Sequence, residues 1–393
     1  FRQFYLFLIF KIFIFSYIIT MNNDLVQRVL YHSVQPQSVQ SVYGEYNSVD
    51  MLINVGEGRS LLPGTIRITG ELLVEKAANT VSDGGRTFTP NCGAHAFMDS
   101  ISVQTQNQGL LENLQNYPRY VNMDASCSLT QLDMLDSKNQ CELRSSVQRA
   151  STDYCLATKP TLITGTPVDT NIDFSFKPLI CLNKADRDMP MSRTGTITLQ
   201  LNLARNMSSL FGKLQDAQTK YSLINLKCHY KSIVDNQNPS PINMGVVYNI
   251  KSNILSTTAS ISANVPAVCD SVAMSFIPNS HENVPLYDSN KLENIEGLVE
   301  VQYIFNDQTN SLITYNLTDR TEMLERAIDA MRNTSHNQVS MDAFKANQAF
   351  VLGLNFEDPI DLSKNRFTAQ IQSAVNNTNP TNVFMYFFAR ASI

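Results

Sequence analysis

The sequence predicts an all-β chain, a β-sandwich scaffold built twice in one polypeptide, and three observations predict it. Segments in both halves alternate strictly between apolar and polar residues, a proline- and asparagine-rich junction separates the two sets, and no catalytic motif interrupts them. Side chains on a strand point to opposite faces with period two, so each alternating segment has one buried and one wet face. Antiparallel sheets packed as a sandwich read this way; parallel strands covered on both sides would be apolar throughout.

The elements follow in chain order. Residues 1–20 are apolar but contain Lys11, are short for a membrane span, and are followed by no small-residue cleavage site. They read as translated upstream sequence ahead of a start at Met21, a hydrophobic leader or anchor being the alternative. Asn22–Ser33 has Leu25, Val26, Val29 and Leu30 at the spacing of a short amphipathic helix. Gln35–Tyr46 lacks periodicity and reads as an arm, so that 21–48 precedes the first sandwich.

That sandwich is placed at 49–236. In Thr65–Glu75, Ile66, Ile68, Leu72 and Val74 oppose Arg67, Thr69, Glu71 and Glu75. Ile172, Phe174 and Phe176 alternate with Asp173 and Ser175. Ile197, Leu199, Leu201 and Leu203 oppose Thr196, Thr198, Gln200 and Asn202. Ile224, Leu226, Cys228 and Tyr230 oppose Asn225, Lys227, His229 and Lys231. Helical inserts are expected at Gly109–Tyr117, from Leu110, Leu111 and Leu114, and at Ser126–Ser137, from Leu129, Leu132 and Leu135. Asp83–Arg86 is a glycine turn.

Asp235–Pro241 (DNQNPSP) is the internal boundary, and the second sandwich is placed at 237–393. Its alternating strands hold Val246, Tyr248 and Ile250; Val272, Met274 and Phe276; Val299, Val301, Tyr303 and Phe305; and Phe367, Ala369 and Ile371. Val383–Ala389 (VFMYFFA) is apolar on both faces and should be covered on both. One helix interrupts this half. Asp319 can cap it, Glu322 completes the capping box, and Met323, Leu324, Ala327, Ile328 and Met331 form its apolar stripe.

Composition narrows the function classes. With 393 residues and 43 % apolar content the chain can bury two ordinary cores. A net charge of −5 without a basic tail gives nucleic-acid backbone binding little support, and no direct nucleic-acid contact is expected. The seven cysteines are odd in number and form no C-x-x-C pair, so they read as reduced core thiols. Sequons occur at Asn206, Asn316, Asn333 and Asn376, as an Asn- and Thr-rich chain produces by chance. His32, His95, His229, His281 and His336 are too scattered for a helical metal site, and phosphate-binding glycine loops and G-x-S-x-G are absent. Asp186/Asp188 and Glu357/Asp358 flank prolines, where turn formation accounts for them. No catalytic residue, cofactor or metal is expected.

Three segments together carry a resemblance. Gly93–Met123 (GAHAFMDSISVQTQNQGLLENLQNYPRYVNM) leads through a strand and a polar hairpin to Asn116-Tyr117-Pro118-Arg119-Tyr120. Asp173–Phe211 places a Phe-rich strand, a loop with Met189-Pro190, then an alternating strand. Phe350–Ala389 places FVLGLNFEDPIDLSKNRF before two further strand segments. In this order and spacing, most of Val49–Ile393 resembles the major capsid proteins of the double jelly-roll lineage of tectiviruses, adenoviruses, virophages, Polintons and related DNA viruses. The resemblance implies two consecutive eight-stranded jelly-roll β-sandwiches with short helical inserts, each roll of two four-stranded sheets. It further implies a homotrimer that serves as a pseudo-hexameric capsomer of an icosahedral virion. Its partners would be neighbouring capsomers, vertex (penton) and minor capsid proteins and, in some relatives, an internal membrane. On that reading Leu25, Val26, Val29 and Leu30 form an arm facing the capsid interior, against a membrane or a neighbouring tile.

Other readings make different demands. A minor or vertex capsid protein usually has one roll, against which the second strand set argues. A carbohydrate-binding β-sandwich predicts secretion, paired cysteines and exposed aromatic or calcium sites. A cupin-like enzyme needs a histidine cluster that five scattered histidines do not offer.

Overall fold

The computed structural model describes residues 29–38, 40–75, 86–87, 92–128, 141–144, 162–163, 166–167, 172–209, 211–212, 220–235, 240–284, 287–295, 297–306, 313–314, 320–331, 350–374 and 380–393. The chain is a double jelly roll.

The second roll has the simpler strands. They are β12 (Asn243–Ile254), β13 (Thr258–Ala263), β14 (Val268–Pro278), β15 (Leu298–Phe305), β16 (Ile313–Thr314), β17 (Leu352–Asp361), β18 (Phe367–Ser373) and β19 (Thr381–Ser392). They form two antiparallel sheets, ordered β12-β19-β14-β17 and β13-β18-β15-β16. Counted within the roll, that is first-eighth-third-sixth against second-seventh-fourth-fifth. The helix α2 (Arg320–Ala330) stands between the fifth and sixth strands. Met323, Leu324 and Ala327 of its expected stripe are buried, and Ser271 Oγ donates to Ala330 O at 2.7 Å.

The first roll repeats this order with three of its strands broken. β1 (Leu30–Val34) and β2 (Val42–Tyr43) share the first place, and β3 (Ser48–Ile53) takes the second. β4 (Arg59–Leu61) and β5 (Arg67–Glu75) share the third. β6 (Met98–Thr105) and β7 (Gly109–Gln115) follow, and β8 (Ile172–Phe176) and β9 (Met189–Pro190) share the sixth. β10 (Ile197–Leu203) and β11 (Lys220–Val234) complete the roll, and α1 (Tyr117–Ser128) follows the fifth strand as α2 does in the second roll. One sheet runs β3-β10-β6-β7; in the other, β11 carries β1 and β2 on one side and β4 and β5 on the other.

Burial follows the predicted alternation where one face meets the core. Ile197, Leu199, Leu201 and Leu203 are buried and the residues between them are not, across the sandwich from Ile66, Ile68, Leu72 and Phe176. Burying each such side chain is worth about 1.5–3 kcal/mol.

Several expectations change. Gly109–Gln115 is a strand, not a helix: it pairs with β6 along its length, with a bulge at Leu111. The helix expected over Asn22–Ser33 is overturned at its end, because Leu30–Val34 is a strand paired to Ser232–Cys228. Leu25 and Val26 lie outside the described residues, and so do the Asp83–Gly85 turn, Leu129–Ser137, Asp319 and most of the DNQNPSP junction. Within Gln35–Tyr46, Val42–Tyr43 is a strand on β11. On β11 the alternation reverses at Asn225, which takes φ +54° at a bulge: Leu223 is buried before it and Leu226 after it, while Ile224 is only half-buried. A second bulge, next to Val299, leaves that side chain exposed. Cys92, Cys127, Cys181, Cys228 and Cys269 are buried free thiols, but Cys141 is exposed. Burial pushes the Cys228 thiol up to about 12, which suppresses thiolate chemistry there. Asn206 is buried with its Oδ1 accepting the Tyr221 N–H at 3.0 Å, so its sequon cannot take a glycan without being unmade.

Candidate functional site

The rolls meet where β7, the fifth-strand edge of the first roll, lies beside β12, the first-strand edge of the second. The joint begins as an apolar continuity. Met244, Val246, Val247, Ala273, Ile277, Phe384 and Tyr386 of the second roll belong to one buried cluster with the core of the first. This explains why both Val246 and Val247 are buried, although alternation predicts one wet face on β12. On β14, Cys269–Ile277 is buried on both faces as well.

Polar groups then fix the register. Glu112 is buried on the inner side of β7, where its carboxylate accepts Cys181 N–H at 2.7 Å and Val247 N–H at 2.9 Å. It thereby closes the open edge of β12 with a side chain. Burial raises the Glu112 carboxyl, while Lys184 and these N–H donors draw it down less strongly. Two residues along, Asn249 imitates a ladder pair: Nδ2 donates to Gln115 O at 2.9 Å and Oδ1 accepts Gln115 N–H at 3.0 Å. At the other end of the edge, Asp186 N–H donates to Asn243 O at 2.9 Å and the Asp186 carboxylate accepts the Asn243 N–H and side-chain amide at 3.1 Å.

The helix α1 supplies the deepest contacts. Asn116 at φ +50° breaks the strand, and Tyr117-Pro118 opens the helix, where proline gives up no needed N–H. Arg119 is 2 % exposed and crosses into the second roll. Its guanidinium donates to Lys291 O at 2.9 Å and to Ser289 O, and lies 4.4 Å over the Phe384 ring. One turn on, Asn122 Nδ2 donates to Asn290 O at 2.7 Å. Tyr386 OH returns a bond to Asn116 O at 3.1 Å, and Lys184 Nζ meets Tyr120 OH at 2.7 Å.

A second polar cluster lies inside the first roll. Buried His95 holds Tyr117 OH at 2.7 Å through Nδ1, and its Nε2 faces Arg144 Nη2 at 3.1 Å and Glu142 Oε2 at 3.4 Å. Burial lowers the His95 imidazole to about 4, with Arg144 adding to the shift. Burial alone would raise Glu142, but hydrogen bonding to His95, the Arg144 charge and the Lys177 N–H hold it at about 2. Both groups have folded-state values below their unfolded ones, so both contribute stability that is full at neutral pH and lost on acidification. For His95 the window runs from pH 6.5 down to about 4, and the loss should reach about 3 kcal/mol. Denaturant unfolding measured across that window should show the fall in wild type and a much shallower one in His95→Gln.

These groups act as welds within and between the rolls. Glu112, Arg119, Glu142 and Arg144 are buried while Asp186 is exposed, and no group of three or more metal-ligating side chains occurs among the described residues. Asp186 serves the joint, while His229 bonds Thr69 Oγ1 at 2.9 Å and His281 bonds Glu293 at 2.7 Å. Of the arm residues, Val29 is half-buried beside the first strand and Leu30 lies on it, largely exposed. The sequence names Arg119 only within the Asn116–Tyr120 run and gives Glu112 and Lys184 no role. The one available signal was a charge set in an apolar context, as in GLLENLQ and NYPRY.

No protein-family model and no curated protein matches the sequence. Solved structures match the fold at nearly full length. The Faustovirus major capsid protein superposes with a TM-score of 0.59 at 8 % identity, over 93 % of this chain and 90 % of that one. VP54 of PBCV-1, fitted into a reconstruction of the virophage Sputnik, gives 0.58 at 12 % identity, over 93 % and 94 %. The mavirus major capsid protein gives 0.50 at 10 % identity, over 91 % and 86 %.

Proposed function

We propose that this chain is the major capsid protein of an icosahedral DNA virus, a structural protein without catalytic activity that resides in the virion. The observation that carries the reading is the pair of like-ordered rolls, shared from end to end with capsid chains at matching length. Three copies form a capsomer of six rolls, and capsomers tile the shell beside vertex and minor capsid proteins. The physics suits the role. A permanent trimer needs an apolar interface of roughly 2,000–5,000 Å², while weaker contacts between capsomers add up by multivalency. The carbohydrate-binding alternative gains no disulfide among the described cysteines, and a one-roll vertex protein would have no use for β12–β19.

The stretch ahead of β1, with Leu25, Val26 and Val29, together with Leu30 at the start of β1, is assigned to contact with a neighbouring capsomer or a membrane. Its support is the apolar spacing of the sequence. Sedimentation of purified protein should give about three chain masses, with hexagonal outlines in electron micrographs; a monomer would remove the capsid reading. Deletion of 21–28, stopping short of β1, should leave those trimers intact and impair shell formation. Extending the deletion to Tyr46 would also remove β1 and β2, so it tests folding instead.

A further inference from the structure

The two rolls share a strand order but differ in what covers the matching sheet. On the second roll, the outer face of β14 is closed: Ser271, Ala273, Ser275 and Ile277 are buried, Ser271 bonded to α2 and Ala273 and Ile277 part of the apolar cluster shared with the first roll. On the first roll, the outer side chains of β11 past the Asn225 bulge, and those of β5 opposite them, are half-buried or exposed.

This open face is cationic. Lys227, His229 and Lys231 alternate along β11, so they stand in line about 7 Å apart. Arg67 lies opposite His229 on β5, and Tyr31 lies opposite Lys231 on β1. Ser175 holds the Arg67 guanidinium, accepting from Nε at Oγ and from Nη2 at the main-chain carbonyl, each at 3.1 Å. His229 is bonded to Thr69 Oγ1 at 2.9 Å, and burial lowers its imidazole, so the charge at neutral pH comes from Lys227, Lys231 and Arg67. Lys231 Nζ sits 4.6 Å over the Tyr31 ring, and Tyr31 is 76 % exposed. β1 and β11 contain no carboxylate. Those of β5 and β8, Glu71, Glu75 and Asp173, lie on the far side of the bulge, where Asn225 Nδ2 donates to Glu71 at 2.7 Å.

We propose that this face binds single-stranded nucleic acid, the cations tracking its phosphates and Tyr31 stacking on a base. A net charge of −5 speaks against such a partner for the chain as a whole, and the open face is the local exception. Cations set in line suit a chain of anions better than a lone one, and the phosphates of an extended strand recur at a spacing close to that of alternate residues on a β-strand. Single strands are held by this combination of a cationic track and an exposed aromatic ring. A duplex, with its bases turned inward, and a sulfated glycan, which has none, would leave Tyr31 without a role. The proposal goes beyond the capsid reading and does not rest on it.

Fluorescence anisotropy with a labelled oligothymidylate tests it on purified protein between about 50 and 200 mM salt. For wild type, log K should fall against log salt with a slope of about −2, as three phosphate contacts on a single strand require. Lys227→Gln/Lys231→Gln should bind at least about 10-fold more weakly at the low-salt end and reduce the slope to about −0.7. Tyr31→Ala should weaken binding about 10-fold with the slope unchanged, and Tyr31→Phe should restore it. The control Lys291→Gln/Lys364→Gln removes two cations of the second roll and should match wild type. Photo-cross-linking of a bromodeoxyuridine oligonucleotide to wild type needs no variant, and the adduct should map to Tyr31. Absence of wild-type binding at the low-salt end, equal losses in the control and the double variant, or adducts that avoid β1 and β11 would overturn the assignment. Heparin binding without oligothymidylate binding would also overturn it and give the face to a sulfated glycan. Binding is read whatever the oligomeric state, so its failure leaves the capsid reading standing, and a failure to form trimers leaves this face standing.

Discussion

Arg119→Ala is expected to cost about 3–5 kcal/mol of stability and to loosen the two rolls from each other. The guanidinium is enclosed between the rolls and satisfies main-chain carbonyls of Ser289 and Lys291, which lose their donor once it is removed. Its stacking on Phe384 is lost as well. Arg119→Lys should recover little, because a single ammonium cannot reproduce the planar fork that reaches both carbonyls. Denaturant unfolding measures the loss, and exchange of the amides around 289–291 localises it. A change below about 1 kcal/mol would falsify the role assigned to this side chain.

Gly353→Val should destabilise the second roll by about 3 kcal/mol or more. A Cβ at Gly353 would lie 2.6 Å from Ala330 Cβ, 2.7 Å from Ala327 Cα and 2.9 Å from Arg326 O. Two of those atoms are helix backbone, which no rotamer change can withdraw. Relief requires lifting α2 off β17, which strips cover from Met323 and Leu324 and breaks the Ser271–Ala330 bond. Thermal unfolding should show the drop, and amides of α2 should exchange faster than those of α1. Equal protection of both helices with an unchanged melting point would mean that the helix is not seated through this glycine.

How much of this was legible in the sequence depends on how many faces of a strand meet protein. β10 reads directly, since one face meets the core and the other meets solvent. β12 and β14 carry the same residue types, yet the rolls bury their second faces against each other and against α2, and no period-two pattern can announce that. β7 is ambiguous in the sequence because Leu110, Leu111 and Leu114 also fit a helical face; its inward residues are Glu112 and Leu114, and a carboxylate is tolerated there only because two N–H groups arrive from elsewhere. β1 resembles a helix end in the sequence because Val29 and Leu30 complete a spacing begun at Leu25, while its actual partner lies some 200 positions away. The joint was illegible for the same reason: Arg119 meets its acceptors across about 170 residues of chain.

The apolar cluster shared by the two rolls has a mechanical corollary. Where side chains of both rolls pack together at close density, a load pressed on one half passes into the other. Any compliance in a wall built from such bricks must therefore sit in the mortar between them.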